Sequence, residues 1–219
     1  ADMICFQEPY CPKNQIQGFP SAWKIFPSKN NKSGIYLINN NLNPLLIKQN
    51  TNSVSISINS NNSTPLIINS SYISPKKNID DLLMELQQII DKYSSYSKIL
   101  FCTDSNAHNI QWGYSTNDER GDSLTDFLEA NNLHLLNTPN APPTFQTLHS
   151  QGWPDQTFTN STSLKDYTNW QVLDMFNNSD HKYIQIKLNN SLQISSNTRF
   201  KTKFGNHVKF VTLFKEHEK

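Results

Sequence analysis

The sequence predicts an α/β (α+β) domain of stacked sheets and helices, and three stretches predict it. Val54, Ile56 and Ile58 alternate with Ser55, Ser57 and Asn59, the period-two pattern of a half-buried strand. Ile79, Leu82, Leu83, Leu86, Ile89, Ile90 and Tyr93 recur at the spacing that lines one face of a helix. Ile99-Leu100-Phe101-Cys102 is a short, continuous apolar run bounded by polar residues, as in a fully buried strand. Strand, helix and strand in that order are the alternation of layered α/β chains.

The remaining elements follow along the chain. Met3-Ile4-Cys5-Phe6 is a strand that begins in mid-pattern, so a first strand upstream of it is expected to be missing. Gly34-Ile35-Tyr36-Leu37-Ile38 forms another strand. Leu66-Ile67-Ile68 runs through Ser71-Tyr72-Ile73 to a loop at Pro75. Asn78 is placed to cap the helix over 79–93, with Asp80 and Asp81 favourable at the positive end of its dipole. The buried strand 99–102 delivers Asp104 and Asn106 to a loop. A second helix over 122–131 buries Leu124, Phe127 and Leu128, and strands recur around 133–136, Phe158, 170–173 and 183–188. These elements define one domain over 1–190. The stretch 191–219 turns polar and then basic, with Arg199, Lys201, Lys203, Lys209 and Lys215; it reads as a linker, either a solvated tail or a phosphate-binding arm.

Composition narrows the class. At 219 residues the chain suits one sizeable domain or two small ones, and a single domain of this size needs no disulfide staples. A net charge of +1 does not by itself advertise nucleic-acid binding, which needs only a local basic patch. Three cysteines, Cys5, Cys11 and Cys102, have no metal-like spacing and read as free thiols of an intracellular protein. No apolar run approaches the roughly 20 residues of a membrane-spanning helix. The 29 asparagines cluster between the alternating apolar runs, so they read as loop filler rather than a prion-like tract.

Five short polar clusters stand at the ends of apolar strands, where catalytic groups of α/β scaffolds collect. They are Gln7-Glu8-Pro9-Tyr10, Ser71-Tyr72-Ile73-Ser74-Pro75, Thr103-Asp104-Ser105-Asn106-Ala107-His108, Trp153-Pro154-Asp155-Gln156-Thr157 and Ser179-Asp180-His181. Singly each is an ordinary loop or turn sequence. Their order resembles the exonuclease–endonuclease–phosphatase superfamily, which includes DNase I, over about residues 1–190. Asp104-x-Asn106-Ala107-His108 before Trp112-Gly113, Asp118-Glu119-Arg120-Gly121, Leu135-Leu136-Asn137 and Pro143-Thr144-Phe145 are similar to its LINE-type (non-LTR) retrotransposon endonucleases. So are Trp170-Gln171-Val172-Leu173 ahead of Ser179 and the Arg199-Phe200-Lys201-Thr202-Lys203 stretch.

The resemblance implies a four-layer sandwich of two mostly antiparallel sheets, packed face to face and flanked by helices. It implies DNA nicking with Mg²⁺ or Mn²⁺, a nuclear protein, and a reverse transcriptase as polyprotein partner. Carried over position by position, Glu8 ligates the metal and Asp180 supports it or its waters. Asp104 activates the attacking water with Asn106, His181 donates to the scissile phosphate with Asp155 holding its ring, and Tyr72 donates its hydroxyl. Ser179 and Thr144 are implied as supporting or phosphate contacts, and His108 as either a DNA contact or a structural loop residue. His149, Gly152 and Trp153 fall in a loop expected to enter a DNA groove. The sequence departs from the family at Thr103 and Ser105, and in the expected absence of the first strand with its metal-site asparagine. Two other readings stay open: a phosphatase of the same superfamily acting on inositol phosphates or lipid headgroups, and a catalytically dead DNA-binding remnant.

Overall fold

The computed structural model of the chain describes residues 1–59 and 64–188, so the tail expected over 191–219 lies outside the described residues. β1 (Met3–Gln7), β2 (Lys24–Pro27) and β3 (Ser33–Leu37) come first, followed by β4 (Leu45–Gln49), β5 (Ser53–Ile58) and β6 (Leu66–Tyr72). Then come α1 (Asp80–Tyr93), β7 (Lys98–Asp104), α2 (Glu119–Ala130) and β8 (His134–Leu135). A small hairpin, β9 (Phe145–Gln146) and β10 (Gln151–Gly152), precedes β11 (Asp155–Thr159), α3 (Thr162–Tyr167), β12 (Thr168–Val172) and β13 (Ile184–Leu188).

A six-stranded sheet in the order β4-β5-β6-β7-β11-β8 is the spine. Its pairs are antiparallel except β6 with β7, and α1 makes the crossover that a parallel pair requires. Strand alternation gives the sheet two faces. Ile67, Ile99, Phe101 and Phe158 face α1 and α2, where Leu82, Leu86, Ile89, Leu124 and Leu128 meet them. Val54, Ile56, Ile58, Leu66, Ile68 and Leu100 face the other way, onto Phe26, Ile35 and Leu37 of the β1-β3-β2 sheet. The expected sandwich is therefore present. Its second layer is in two pieces among the described residues, β1-β3-β2 and the β12–β13 pair. On the outer side of β1 and β3 the cover is a loop: Phe19 stacks on Tyr36 at 3.9 Å, and Tyr36 lies 4.9 Å from Phe6.

Local chemistry explains the element boundaries. α1 has Ile79 rather than the expected Asn78 at its cap position, with no side-chain cap bond there; Asn78 accepts from the Asp80 N–H at 3.1 Å just outside it. α2 starts three residues before the expected Asp122, because Asp118 is its cap, accepting from the Gly121 N–H at 2.7 Å. The strand expected over 133–136 shrinks to the two residues of β8. β4 escaped notice because Leu45 and Leu46 are both exposed (42% and 49%) and break the alternation of a half-buried strand. α3 spans only six residues and rests on its Ser161 cap, too short for a periodic signal. α1 is tied to β5 by Glu85, whose carboxylate accepts from Asn52 N, Asn52 Nδ2 and Ser53 Oγ. Cys5, Cys11 and Cys102 are free thiols. Among the described residues no helix is long and apolar enough to cross a membrane.

Gly34 opposes Phe6 across the β1–β3 pair, and a Cβ at Gly34 would overlap the Phe6 ring. That ring is pinned by Phe19 and Tyr36, so it has nowhere to retreat. Gly34→Ala is expected to destabilise the protein by about 1–3 kcal/mol, as overpacking does. Urea unfolding with an unchanged midpoint would show that the ring can move.

Candidate active site

The site begins as a row across the end of the central sheet. Tyr72 ends β6, Asp104 ends β7 and Asp155 begins β11. Asp104 pairs in register with Tyr72 on one side and with Asp155 on the other. The same alternation that points Leu100 into the sandwich therefore sends all three side chains to that face. Gln7 fastens β1 over this end of the sheet, its Nε2 donating to Ser70 Oγ and to the Cys102 carbonyl, both at 3.2 Å.

His181 reaches the row from the β9–β10 hairpin side. It forms a β-bridge with Phe145, flanked by Gln146 N to Asp180 O (2.8 Å) and Lys182 N to Thr144 O (2.7 Å). The Ser179 hydroxyl accepts from the His181 N–H, and Asn177 Nδ2 donates to the His181 carbonyl. The ring then lies with Nδ1 3.1 Å from Asp155 Oδ2 and Nε2 4.0 Å from Asp104 Oδ2. One ligand atom from each of Asp104, Asp155 and His181 falls within 4.8 Å of the others.

Charge sets the protonation states. Burial alone would lower the His181 pKa, but the hydrogen bond and charge of Asp155, with Asp104 and Glu8 behind them, raise it to about 9. Its ring is therefore an imidazolium at neutral pH, a hydrogen-bond donor rather than a metal ligand. Asp104, 1% exposed, is pushed well above the usual carboxylate range by burial and then by Asp155, with Glu8 adding to both; His181 and the Asn106 N–H pull against them. The Tyr72 hydroxyl is held protonated by burial first, then by its hydrogen bond to Glu8 and the charges of Glu8 and Asp104.

The other expected residues sit around this core. Glu8 is exposed, with a left-handed backbone (φ 43°), and its carboxylate lies 3.8 Å from Lys32 Nζ. Asn106 is also left-handed (φ 50°); its N–H donates to Asp104 Oδ1 at 3.3 Å and its Nδ2 to the Ile73 carbonyl at 3.1 Å. Asp180 is exposed and stands outside the Asp104–Asp155–His181 group. Thr144 is fully buried with its Oγ1 unpartnered among the described residues, which suits a supporting role more than a phosphate contact. His108 stacks on Tyr114 at 4.0 Å and lies 3.9 Å from Asp118, holding the loop. His149 is at the exposed hairpin tip. Gly152 and Trp153 are at its root, where Trp153 packs on Gly113 and donates to the Ala141 carbonyl. Sequence reasoning missed Asn137, whose amide takes the Asp155 carbonyl and the Thr157 N–H, both at 2.8 Å, and it assigned no role to Arg120.

The sequence matches the family described as "Endonuclease-reverse transcriptase" over residues 66–185, more than half of the chain. The chain belongs to this family. Among solved structures it is similar to the endonuclease domain of TRAS1, a telomere-specific non-LTR retrotransposon, at 26% identity and a TM-score of 0.74, covering 88% of this chain and 87% of that one. The fold is shared with the AP endonuclease LMAP from Leishmania major (13% identity, TM-score 0.58, 84% and 77% covered). It is also shared with a humanized D. rerio TDP2 (15% identity, TM-score 0.54, 84% and 83% covered). No curated protein matches the sequence significantly. For this family member the donor chemistry also bears on a metal. Asp104 and Asp155 offer carboxylate oxygens within 4.8 Å of each other and of His181, and Glu8 adds its field to them; hard oxygen donors of this kind fit a divalent cation such as Mg²⁺.

The His181 shift has a definite sign. Its folded pKa of about 9 lies above the ordinary value, so its contribution to stability is complete below about pH 6.5 and is lost as pH rises through about 9. In Asp155→Asn the inflection of the His181 ring proton in an NMR titration is expected to fall from about 9 to about 7 or lower. An unmoved inflection would assign the shift to some other group.

Proposed function

We propose that this protein is a DNA endonuclease that hydrolyses a phosphodiester with Mg²⁺ or Mn²⁺, leaving a 3′-hydroxyl that primes reverse transcription. The observation that carries the reading is the Asp155–His181 pair at 3.1 Å, set beside the buried Asp104 in one row with Tyr72. Family membership, and the 26% identity to an endonuclease domain from a retrotransposon, support DNA rather than a small phosphate ester as the substrate. In that role the protein works in the nucleus, alongside a reverse transcriptase.

Hydrolysis needs an oriented water, relief of the charge growing on the phosphoryl oxygens, and stabilisation of the departing oxygen. Ionised Asp104 takes the proton of the attacking water while the Asn106 N–H keeps the carboxylate turned toward it; a carboxylate with a raised pKa is the stronger base. As the water oxygen bonds to phosphorus the bond to O3′ breaks; the departing 3′-oxyanion takes a proton from solvent, giving a 3′-hydroxyl and a 5′-phosphate. The His181 imidazolium donates to a non-bridging oxygen, and Asp155 preserves both its charge and its orientation. Tyr72 keeps its proton and donates to a second phosphate oxygen. Glu8 would hold a divalent cation and Asp180 would support its waters; such an ion would supply Lewis-acid stabilisation of the phosphate and leaving oxygen.

Relaxation of supercoiled plasmid with Mg²⁺ tests the proposal. The wild-type chain is expected to nick, and EDTA to stop it. His181→Ala is expected to be slower by about 10²–10⁴-fold, the usual worth of a positioned proton donor. Phosphoinositide hydrolysis without nicking would turn the reading to a phosphatase. Metal-independent DNA binding with no cleavage would turn it to a DNA-binding remnant.

A further inference from the structure

Arg120 stands in the first turn of α2, and its guanidinium is spent on main-chain carbonyls. Nη1 donates to Lys77 O at 2.5 Å, Nη2 to Ser105 O at 2.6 Å and Nε to Asn106 O at 3.0 Å. Among the described residues no carboxylate forms an ion pair with it. Burial disfavours its charge, and the carboxylates of Asp118 and Asp104 offset this only in part. The three carbonyls come from two loops: Lys77 from the one that follows Tyr72, Ser105 and Asn106 from the one that follows Asp104. Only a planar fork of donors can span them; a lysine ammonium is a single point.

The rest of the helix start serves the same docking. Asp118 Oδ1 accepts from Gly121 N at 2.7 Å and from His108 N at 3.0 Å. Gly121 lacks the Cβ that would overlap the His108 carbonyl oxygen. The two loops also grip each other directly, Ile73 N donating to Asp104 O and Asn106 Nδ2 to Ile73 O, both at 3.1 Å.

We infer that Arg120 is a positioning residue for the reaction, a clamp that sets the Tyr72 loop and the Asp104–Asn106 loop in one fixed relation by binding both through their carbonyls. The inference rests on the endonuclease reading and deepens it. Asn106 holds its left-handed turn, and its N–H stays on Asp104, because Arg120 takes the carbonyl of the same residue. A clamp of this kind acts on the geometry of the bound phosphate rather than on its affinity. Its loss therefore reads in kcat, where a displacement of about 1 Å can cost about 10²-fold.

The test uses the whole 219-residue chain with Mg²⁺, comparing wild type, Arg120→Ala, Arg120→Lys and Tyr72→Phe in plasmid nicking. In Arg120→Ala, kcat is expected to fall about 10- to 100-fold with KM within about 3-fold. Arg120→Lys is expected to remain impaired. Methylguanidinium at tens of millimolar is expected to restore roughly a tenth or more of the lost rate in Arg120→Ala and nothing in Tyr72→Phe. An unchanged kcat, or a rise in KM alone as for a direct phosphate contact, would overturn the clamp; so would a loss that methylguanidinium leaves untouched. If even the wild type fails to nick, the nuclease reading fails by itself, and amide hydrogen exchange decides the clamp. Faster exchange in 74–78 and 105–109 together in Arg120→Ala supports it, and unchanged exchange there refutes it.

Discussion

A carboxylate with 1% of its surface exposed has lost nearly all of its hydration, and the end of the central sheet is arranged around that fact at Asp104. Two partners relieve it, the Asn106 N–H at 3.3 Å and the His181 ring at 4.0 Å. Asp155 and Glu8 work against it. The net effect is a pocket that gains from any added positive charge, and it binds the neighbouring geometry to itself. β7 has to stop at Asp104, the chain has to turn left-handed two residues later, and β11 has to arrive in register so that Asp155 faces the same histidine.

The same arrangement asks for unfavourable backbone at two places. Glu8 and Asn106 both sit at positive φ, a region that costs an L-residue roughly 1–2 kcal/mol and that asparagine tolerates better than glutamate. Glu8 is held there by its N–H on the Lys32 carbonyl (2.8 Å), next to the Gln7 side chain that anchors β1 to the sheet. Strained residues of this kind persist where surrounding contacts over-determine them, and here both lie beside the same buried charge.

Much of this was legible in the sequence because the signals are local. The spacing of Leu82, Leu86 and Ile89 marks α1, the alternation over 54–58 marks β5, and the apolar run before Asp104 marks β7. The D-x-N and S-D-H clusters were ordinary singly, and only the resemblance carried by their order implied Asp104, Asn106 and His181, which the structure brings together with Asp155 and Tyr72. What stayed hidden depends on partners that carry no side-chain identity. Arg120 binds carbonyls, which look alike in every residue, and Asn137 binds the backbone of β11. The division of the second layer was equally hidden, because strand pairing is a property of the assembled sheet. The packing of Gly152 and Trp153 on Tyr114 and Gly113 was hidden as well, because it joins loops distant along the chain.

The single parallel pair of the central sheet has a kinetic consequence. Every other neighbour in that sheet can zip from a turn or a returning antiparallel strand, but β6 and β7 meet only after α1 has closed the crossover between them. Tyr72 and Asp104 sit at the far end of that pair, and Asp155 and His181 arrive later still along the chain. Loops of this kind close before their contacts repay the lost entropy, so they form slowly. The row of Tyr72, Asp104 and Asp155 thus depends on two long loop closures, one through α1 and one across the chain between β7 and β11.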